Sequence, residues 1–331
     1  MSNYKILLIV LSGISLPLAL YLPYHFAFIT LALGGSLHTL SEAEYFLAGK
    51  KILRKRKTYP PIVFLGALVL AVLPFITLWA KFPSKESYVH FKKIYYFLLF
   101  AWVFLTCAKA NLFSKYKIGV LIIFCSTGLL VTFINPLLVL FLFIHLHNMI
   151  PWIFLYKNRT HKQQVLIWFL LINLVWPVVG TFLFYSWGLE ISSLSLKEPL
   201  ETALYNHTLP IYWPIEPDIM LLSLFGYGQF LHYILWIFIV PERKSWLDFK
   251  KLATFIPELL FFVGFSREMK KWYYFIPILA VFTSLCFFWF YPVSWRPIYF
   301  SLVLFHVLIE VPLIFLDSPQ AEPQNLSYET L

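Results

Sequence analysis

Charge is what this chain has least of. Only 13% of its 331 residues are Asp, Glu, Lys or Arg, about half the roughly 25% carried by soluble domains. That excludes an ordinary soluble enzyme. Cysteine is also scarce: Cys107, Cys125 and Cys286 lie in separate apolar stretches without C-x-x-C spacing, read as packing residues and report nothing about redox compartment. The chain has no Walker A sequence, no G-x-S-x-G, no H-E-x-x-H and no haem-attachment C-x-x-C-H. It has no basic-aromatic stripe on a soluble module, which argues against nucleic acid as a partner. An internal repeat with matched broken helices, a mark of many transporters, is missing as well.

What is abundant is apolar surface. Sixty per cent of residues are hydrophobic and the mean hydropathy is +0.76, and the apolar runs recur without a polar module between them. The expected fold is all-α, a polytopic integral membrane helical bundle of about ten transmembrane helices, forming one domain over 1–316. The spans are expected near 5–22, 25–48, 61–80, 93–110, 118–134, 136–156, 164–187, 219–240, 273–292 and 297–316. The first reads as a retained helix rather than a cleaved signal peptide. Asn135-Pro136 signals a tight break between the fifth and sixth spans. The tail 317–331, rich in Pro, Gln, Glu and Ser, is expected to be disordered.

Lysine and arginine placement orients the bundle. Lys50, Lys51, Arg54, Lys55, Arg56 and Lys57 follow the second span, and the loop 241–272 holds seven more basic residues. Both are expected in the cytoplasm, together with both termini. Within 241–272, residues 252–265 fit a short interfacial helix. The opposite-side loop 188–218 is acidic, whereas Lys81, Lys85 and Lys92 in 81–92 run against the pattern. Topological basicity and attraction to anionic headgroups account for the formal net charge of +10.

Against this background five histidines stand out. His38, His145, His147, His232 and His306 each lie ten to twelve residues before the polar group that closes their segment: Lys50, Lys157, Glu242 and Asp317. At about 1.5 Å per residue, that is roughly 15–18 Å from one face, near the middle of a ~30 Å hydrocarbon core. All four histidine-bearing spans run the same way in the expected topology, so equal distance means equal depth. Neutral imidazole ligates iron, copper or zinc, and hydrocarbon offers it no partner. The expected site is a buried metal centre, with Fe(II) or another transition metal. His145 and His147 lie two apart, about 200° around a helix, so one of them is expected to face the site, with His147 favoured.

Glu42 and Glu310 follow His38 and His306 by four residues, on the same helix face. They are candidates for ligand-orienting, proton-carrying or catalytic roles, although Glu42 and Glu44 approach the interface and can also simply face water. On the eighth span Gln229, His232 and Trp236 share a stripe, and with Tyr233 and Trp152 they are candidates to line an apolar substrate. Helix packing explains Tyr233 and Trp236 equally well. His25, His90, His161 and His207 read as hydrated.

Intramembrane histidines spread over several helices, here His38, one of His145 or His147, His232 and His306, resemble the architecture of the Brp/Blh family of membrane β-carotene dioxygenases. The first histidine sits in Ser36-Leu37-His38-Thr39-Leu40-Ser41-Glu42, which lacks the Asp of the family's turn. What the resemblance implies is therefore iron and the oxygenase class, acting on an apolar lipid or isoprenoid-like substrate from the bilayer, rather than carotene itself. Two other classes fit the same residues: a bis-histidine haem or quinone-linked electron carrier, and a proton-coupled transporter with a His/Glu relay.

Overall fold

The computed structural model describes residues 2–35, 37, 38, 41, 66, 67, 69–73, 84–109, 115–158, 161–190, 196–208, 219–240, 275–292 and 308. The described residues are all-helical, with no strand among them. The helices are α1 (Ser2–Tyr21), α2 (Pro23–Ile29), α3 (Lys85–Lys109), α4 (Lys115–Ile134), α5 (Pro136–Leu146), α6 (Ile150–Asn158), α7 (Lys162–Leu170), α8 (Trp176–Ser186), α9 (Glu198–Thr208), α10 (Ile219–Ile234) and α11 (Phe275–Phe290). Three continuous stretches, Glu86–Thr106, Lys162–Ser186 and Ile219–Ile239, are long and apolar enough to cross a membrane. The loop 241–272 with its interfacial segment, the tail 317–331, nearly all of 297–316 and much of 61–80 lie outside the described residues.

The sequence explains most boundaries. Asn135 leaves the helix, and its Oδ1 accepts the backbone N–H of Leu137 at 3.1 Å and of Leu138 at 3.4 Å, an N-terminal cap with proline at the first helical position. Two expected loops are shorter than the sequence reading. Helix α3 starts at Lys85, inside the expected outer loop 81–92, and places Lys92 in a buried position with Nζ 5.2 Å from the Tyr88 ring centroid and 5.7 Å from that of Tyr95. Lys92 is thus held over aromatic faces rather than in a solvated loop. The expected loop 188–218 contains α9. Glu198 and Glu201 in its first turn suit the positive end of the helix, Glu201 Oε1 accepts the Leu196 N–H at 2.7 Å, and Leu200, Ala203 and Leu204 are buried.

Three prolines rewire the backbone. Pro151 cannot donate to the His147 carbonyl four residues back, and the Ile150 N–H takes that carbonyl instead, tightening His147–Met149 into a 3-10 turn. The Leu171–Val175 turn is widened to π, with the Trp176 N–H on the Leu171 carbonyl. In that register the next donor, for the Ile172 carbonyl, would be residue 177, a proline; the Tyr227 hydroxyl donates to it at 2.8 Å. The Leu235–Ile239 π-turn repeats the arrangement. Val240 N–H bonds the Leu235 carbonyl at 2.8 Å, the next donor would be Pro241, and the Ser41 hydroxyl reaches the Trp236 carbonyl at 2.9 Å. A proline-freed carbonyl in an apolar interior is costly, and a facing hydroxyl removes that cost.

Helix α10 is the centre of the packing, with every residue from Leu231 to Val240 buried. Its neighbours can be read from paired contacts. Along the second span, Ala27 meets Gly226, Gly34 meets Tyr233, His38 meets His232 and Ser41 meets Trp236. Along the sixth, His145 meets Phe225, Asn148 meets Gly228, His147 meets Gln229 and His232, and Phe154 meets Trp236. From Ala27/Gly226 to Ser41/Trp236 and from His145/Phe225 to Phe154/Trp236 the numbers rise together from end to end, so these three histidine-bearing segments run parallel. Helix α1 likewise runs parallel to α8, with the Trp176 indole donating to the Ser12 carbonyl at 3.0 Å and Gly180 packed on Leu16.

Close approach at the centre needs glycine. A Cβ on Gly34 would collide with the Tyr233 ring, which is already stacked on His38. Gly34→Ala should therefore destabilise the protein by about 1–3 kcal/mol, seen as a lower thermal unfolding midpoint in detergent. Gly13→Ala in α1, where a Cβ would meet nothing within 4 Å, should leave the midpoint unchanged or slightly raised.

Candidate functional site

The site is assembled from three helical segments around α10. His232 is fully buried at 0% exposure and His38 is at 1%. Their Nε2 atoms are 3.3 Å apart and the rings meet edge to face, 4.6 Å between centroids. One Nε2–H donates and the other nitrogen accepts, so the two neutral rings carry complementary tautomers. His147, at 6% exposure, brings its ring to 5.1 Å from that of His232. Its Nε2 lies 3.2 Å from Gln229 Nε2, where the amide N–H donates to the imidazole nitrogen.

The pair His145 and His147 separates as the 3-10 turn dictates. His147 is buried against Gln229 and His232, whereas His145 is half-buried and packs on Phe141 at 4.4 Å and Phe225 at 5.7 Å. Both look towards α10, but His145 does so more than one turn nearer its N-terminus. Of the residues expected from sequence, the structure brings together His38, His147, His232, Gln229, Tyr233 and Trp236. His145 stands apart from them.

No protein-family model, curated protein or solved structure matches this chain. Its site must be read from its own geometry.

The surrounding aromatics hold the imidazoles in place. Tyr233 stacks on His38 with 5.0 Å between centroids and an interplanar angle of 27°. Trp236, at 0% exposure, lies 6.4 Å from the His38 ring and 5.3 Å from Phe154. Gln229 stands as a partner of His147 rather than as a member of an open wall. Trp152 is buried on the opposite side of its segment, edge-on to Phe169. His306, Glu310, Glu42 and Glu44 lie outside the described residues; Leu308, two positions beyond His306, is helical and buried. Among the described residues, no group of three or more His, Cys, Asp or Glu side chains is placed to hold a metal ion: His147 Nε2 is turned to Gln229, which leaves His38 and His232 as the converging pair.

The other four histidines differ in kind. His90 Nδ1 donates to the Glu86 carbonyl at 2.9 Å on an exposed face, His161 is exposed before α7, and His25 is half-buried in α2. His207 falls in α9. Sequence reasoning missed Ser41, Tyr227 and Asn148 as parts of the central packing. The first two had a signal in Pro241 and Pro177, each of which removes a backbone donor that a hydroxyl then replaces.

Proposed function

We propose that this chain is a multi-pass membrane metalloenzyme of about ten helices with both termini in the cytoplasm, and that it is a non-haem iron oxygenase acting on an apolar lipid or isoprenoid-like substrate. The observation that carries the metal reading is the 3.3 Å separation of His38 Nε2 and His232 Nε2 on two parallel buried helices. Two nitrogens bound to one metal at about 2.0–2.1 Å, at tetrahedral or octahedral angles, lie roughly 2.9–3.4 Å apart. The contact thus has the spacing of adjacent ligands. A haem iron between the same two rings would require nitrogens about 4 Å apart with a macrocycle between them, and centroids at 4.6 Å leave no such slot.

His147 is the third ligand in this reading, freed by release of Gln229, and His306 the fourth. Gln229, as the neighbour of an imidazole nitrogen, positions His147. Iron(II) bound to them would supply open positions for dioxygen beside the substrate. The chain itself contributes a dry, aromatic enclosure that limits water and holds the rings in fixed orientations. Glu42 and Glu310 orient ligands or carry protons.

Metal analysis of protein purified without added chelator tests the proposal. The expected result is about one iron per chain, lost on replacement of His38, His232 or His306 by alanine; full occupancy in all three variants overturns it. The same measurement separates the neighbours: His147→Ala should lose about 100-fold or more in iron affinity, whereas His145→Ala, which removes a ring packed on Phe141 and Phe225, should keep it.

A further inference from the structure

Of the three membrane-length stretches, Lys162–Ser186 is the least covered by the rest of the chain. Only 11% of its apolar part is buried, against 83% for Ile219–Ile239. Its packed side is narrow: Val165, Ile172 and Phe184 are buried, and the Ile172 carbonyl takes the Tyr227 hydroxyl. Leu166, Leu170, Leu174, Val178 and Phe182 are exposed, an apolar wall about 24 Å long.

Between Val165 and Gly180 this stretch has one amide side chain, Asn173. It lies eleven residues after Lys162 and thirteen before Ser186, roughly 16–20 Å from either end and near the middle of a ~30 Å hydrocarbon core. Asn173 follows the inward Ile172 by one position, about a quarter-turn round the helix, and is half-buried at the rim of the packed side. Its Nδ2 donates to the Phe169 carbonyl, one turn back, at 3.0 Å. A carboxamide carries a second N–H and an oxygen with two lone pairs. Among the described residues neither has a hydrogen bond. Hydrocarbon supplies no donor or acceptor, and the headgroups lie beyond the reach of so short a side chain.

A second copy of this chain supplies both at once. Face to face about a two-fold axis, each Asn173 amide donates to the other's oxygen, and the exposed leucines beside it meet their counterparts. Lipid tails would leave the amide bare, and an unrelated helix would need a matching polar group at the same depth. We infer that Lys162–Ser186 is the contact surface of a homodimer, with Asn173 paired across the two-fold axis. The inference rests on this stretch being a membrane span and is independent of the metal.

The test is single-molecule photobleaching of the full chain, labelled once at its amino terminus, in phosphatidylcholine vesicles over a range of protein-to-lipid ratios. The expected result is two-step bleaching at high density that gives way to one step on dilution. Asn173→Leu, which keeps the face apolar, should need about 3- to 30-fold higher protein density for half-dimerisation. Asn173→Gln, which retains donor and acceptor, should stay closer to wild type. Asn173→Ala repeats the comparison should the leucine variant fail to insert. Three outcomes overturn the pairing: single-step bleaching at every density, leucine and alanine variants that pair as tightly as wild type, or a glutamine variant no better than leucine. The vesicles are first washed with alkaline carbonate. Chain lost in that wash overturns the membrane reading along with the pairing, whereas retained chain that bleaches singly overturns the pairing alone.

Discussion

With iron held as proposed, His232→Ala should strip the protein of the metal and leave its helices folded. His232 is the residue that both His38 and His147 approach, His38 at 3.3 Å between nitrogens and His147 at 5.1 Å between ring centroids. Metal-binding free energies of about 10–16 kcal/mol in four-ligand zinc sites average to roughly 2.5–4 kcal/mol per ligand, so removing one costs about two orders of magnitude or more in affinity. The measurement is a competitive chelator titration of purified wild-type and variant protein, followed by circular dichroism to confirm helix content. The result that counts against the prediction is unchanged affinity with helix content intact. His145→Ala is the matched control, because it deletes an imidazole of the same chemistry that packs on phenylalanine rings.

Trp236→Ala carries the second large expectation, and it concerns stability. Trp236 is the largest fully buried side chain described. It touches Phe154 of α6 and stands beside His38, and its own carbonyl receives the Ser41 hydroxyl. The substitution opens a cavity where three parallel segments meet, and large-to-small changes of this kind cost about 3–5 kcal/mol. In a bilayer the transfer part of that cost shrinks, but the lost dispersion contacts remain. The unfolding midpoint in detergent should fall well below that of Gly34→Ala, and Trp236→Phe should recover most of the difference. A midpoint equal to wild type would mean that the junction collapses without penalty.

The all-helical class was legible because long unbroken apolar runs with few charges satisfy their backbone hydrogen bonds within each segment only as helices. The approach of His38 to His232 was legible too, since each lies ten to twelve residues before the polar group that closes its segment. The choice between His145 and His147 was legible only as a leaning. It turns on the 3-10 turn ahead of Pro151, a backbone change that a constant 100° per residue does not describe. Helix α9 was missed because a half-polar segment gives a weak apolar signal, although Glu198-Pro199 and Glu201 are ordinary helix-start residues. The partner of Gln229 was not legible for a different reason. A stripe on one helix tells which residues share a face, and only the facing helix decides whether they meet a substrate or another side chain.

The two proline-freed carbonyls have a mechanical consequence. Tyr227 reaches out from α10 to the Ile172 carbonyl, and nine residues later the Trp236 carbonyl receives Ser41 from another segment. About 13 Å of helix is thus fastened at two points, once as donor and once as acceptor. His232 lies between them. A slip of one residue in either direction would break both bonds at once and leave two carbonyls bare in an apolar interior. The helix behaves as a beam clamped at both ends, and the imidazole near its middle keeps its position and heading while the helices around it shift.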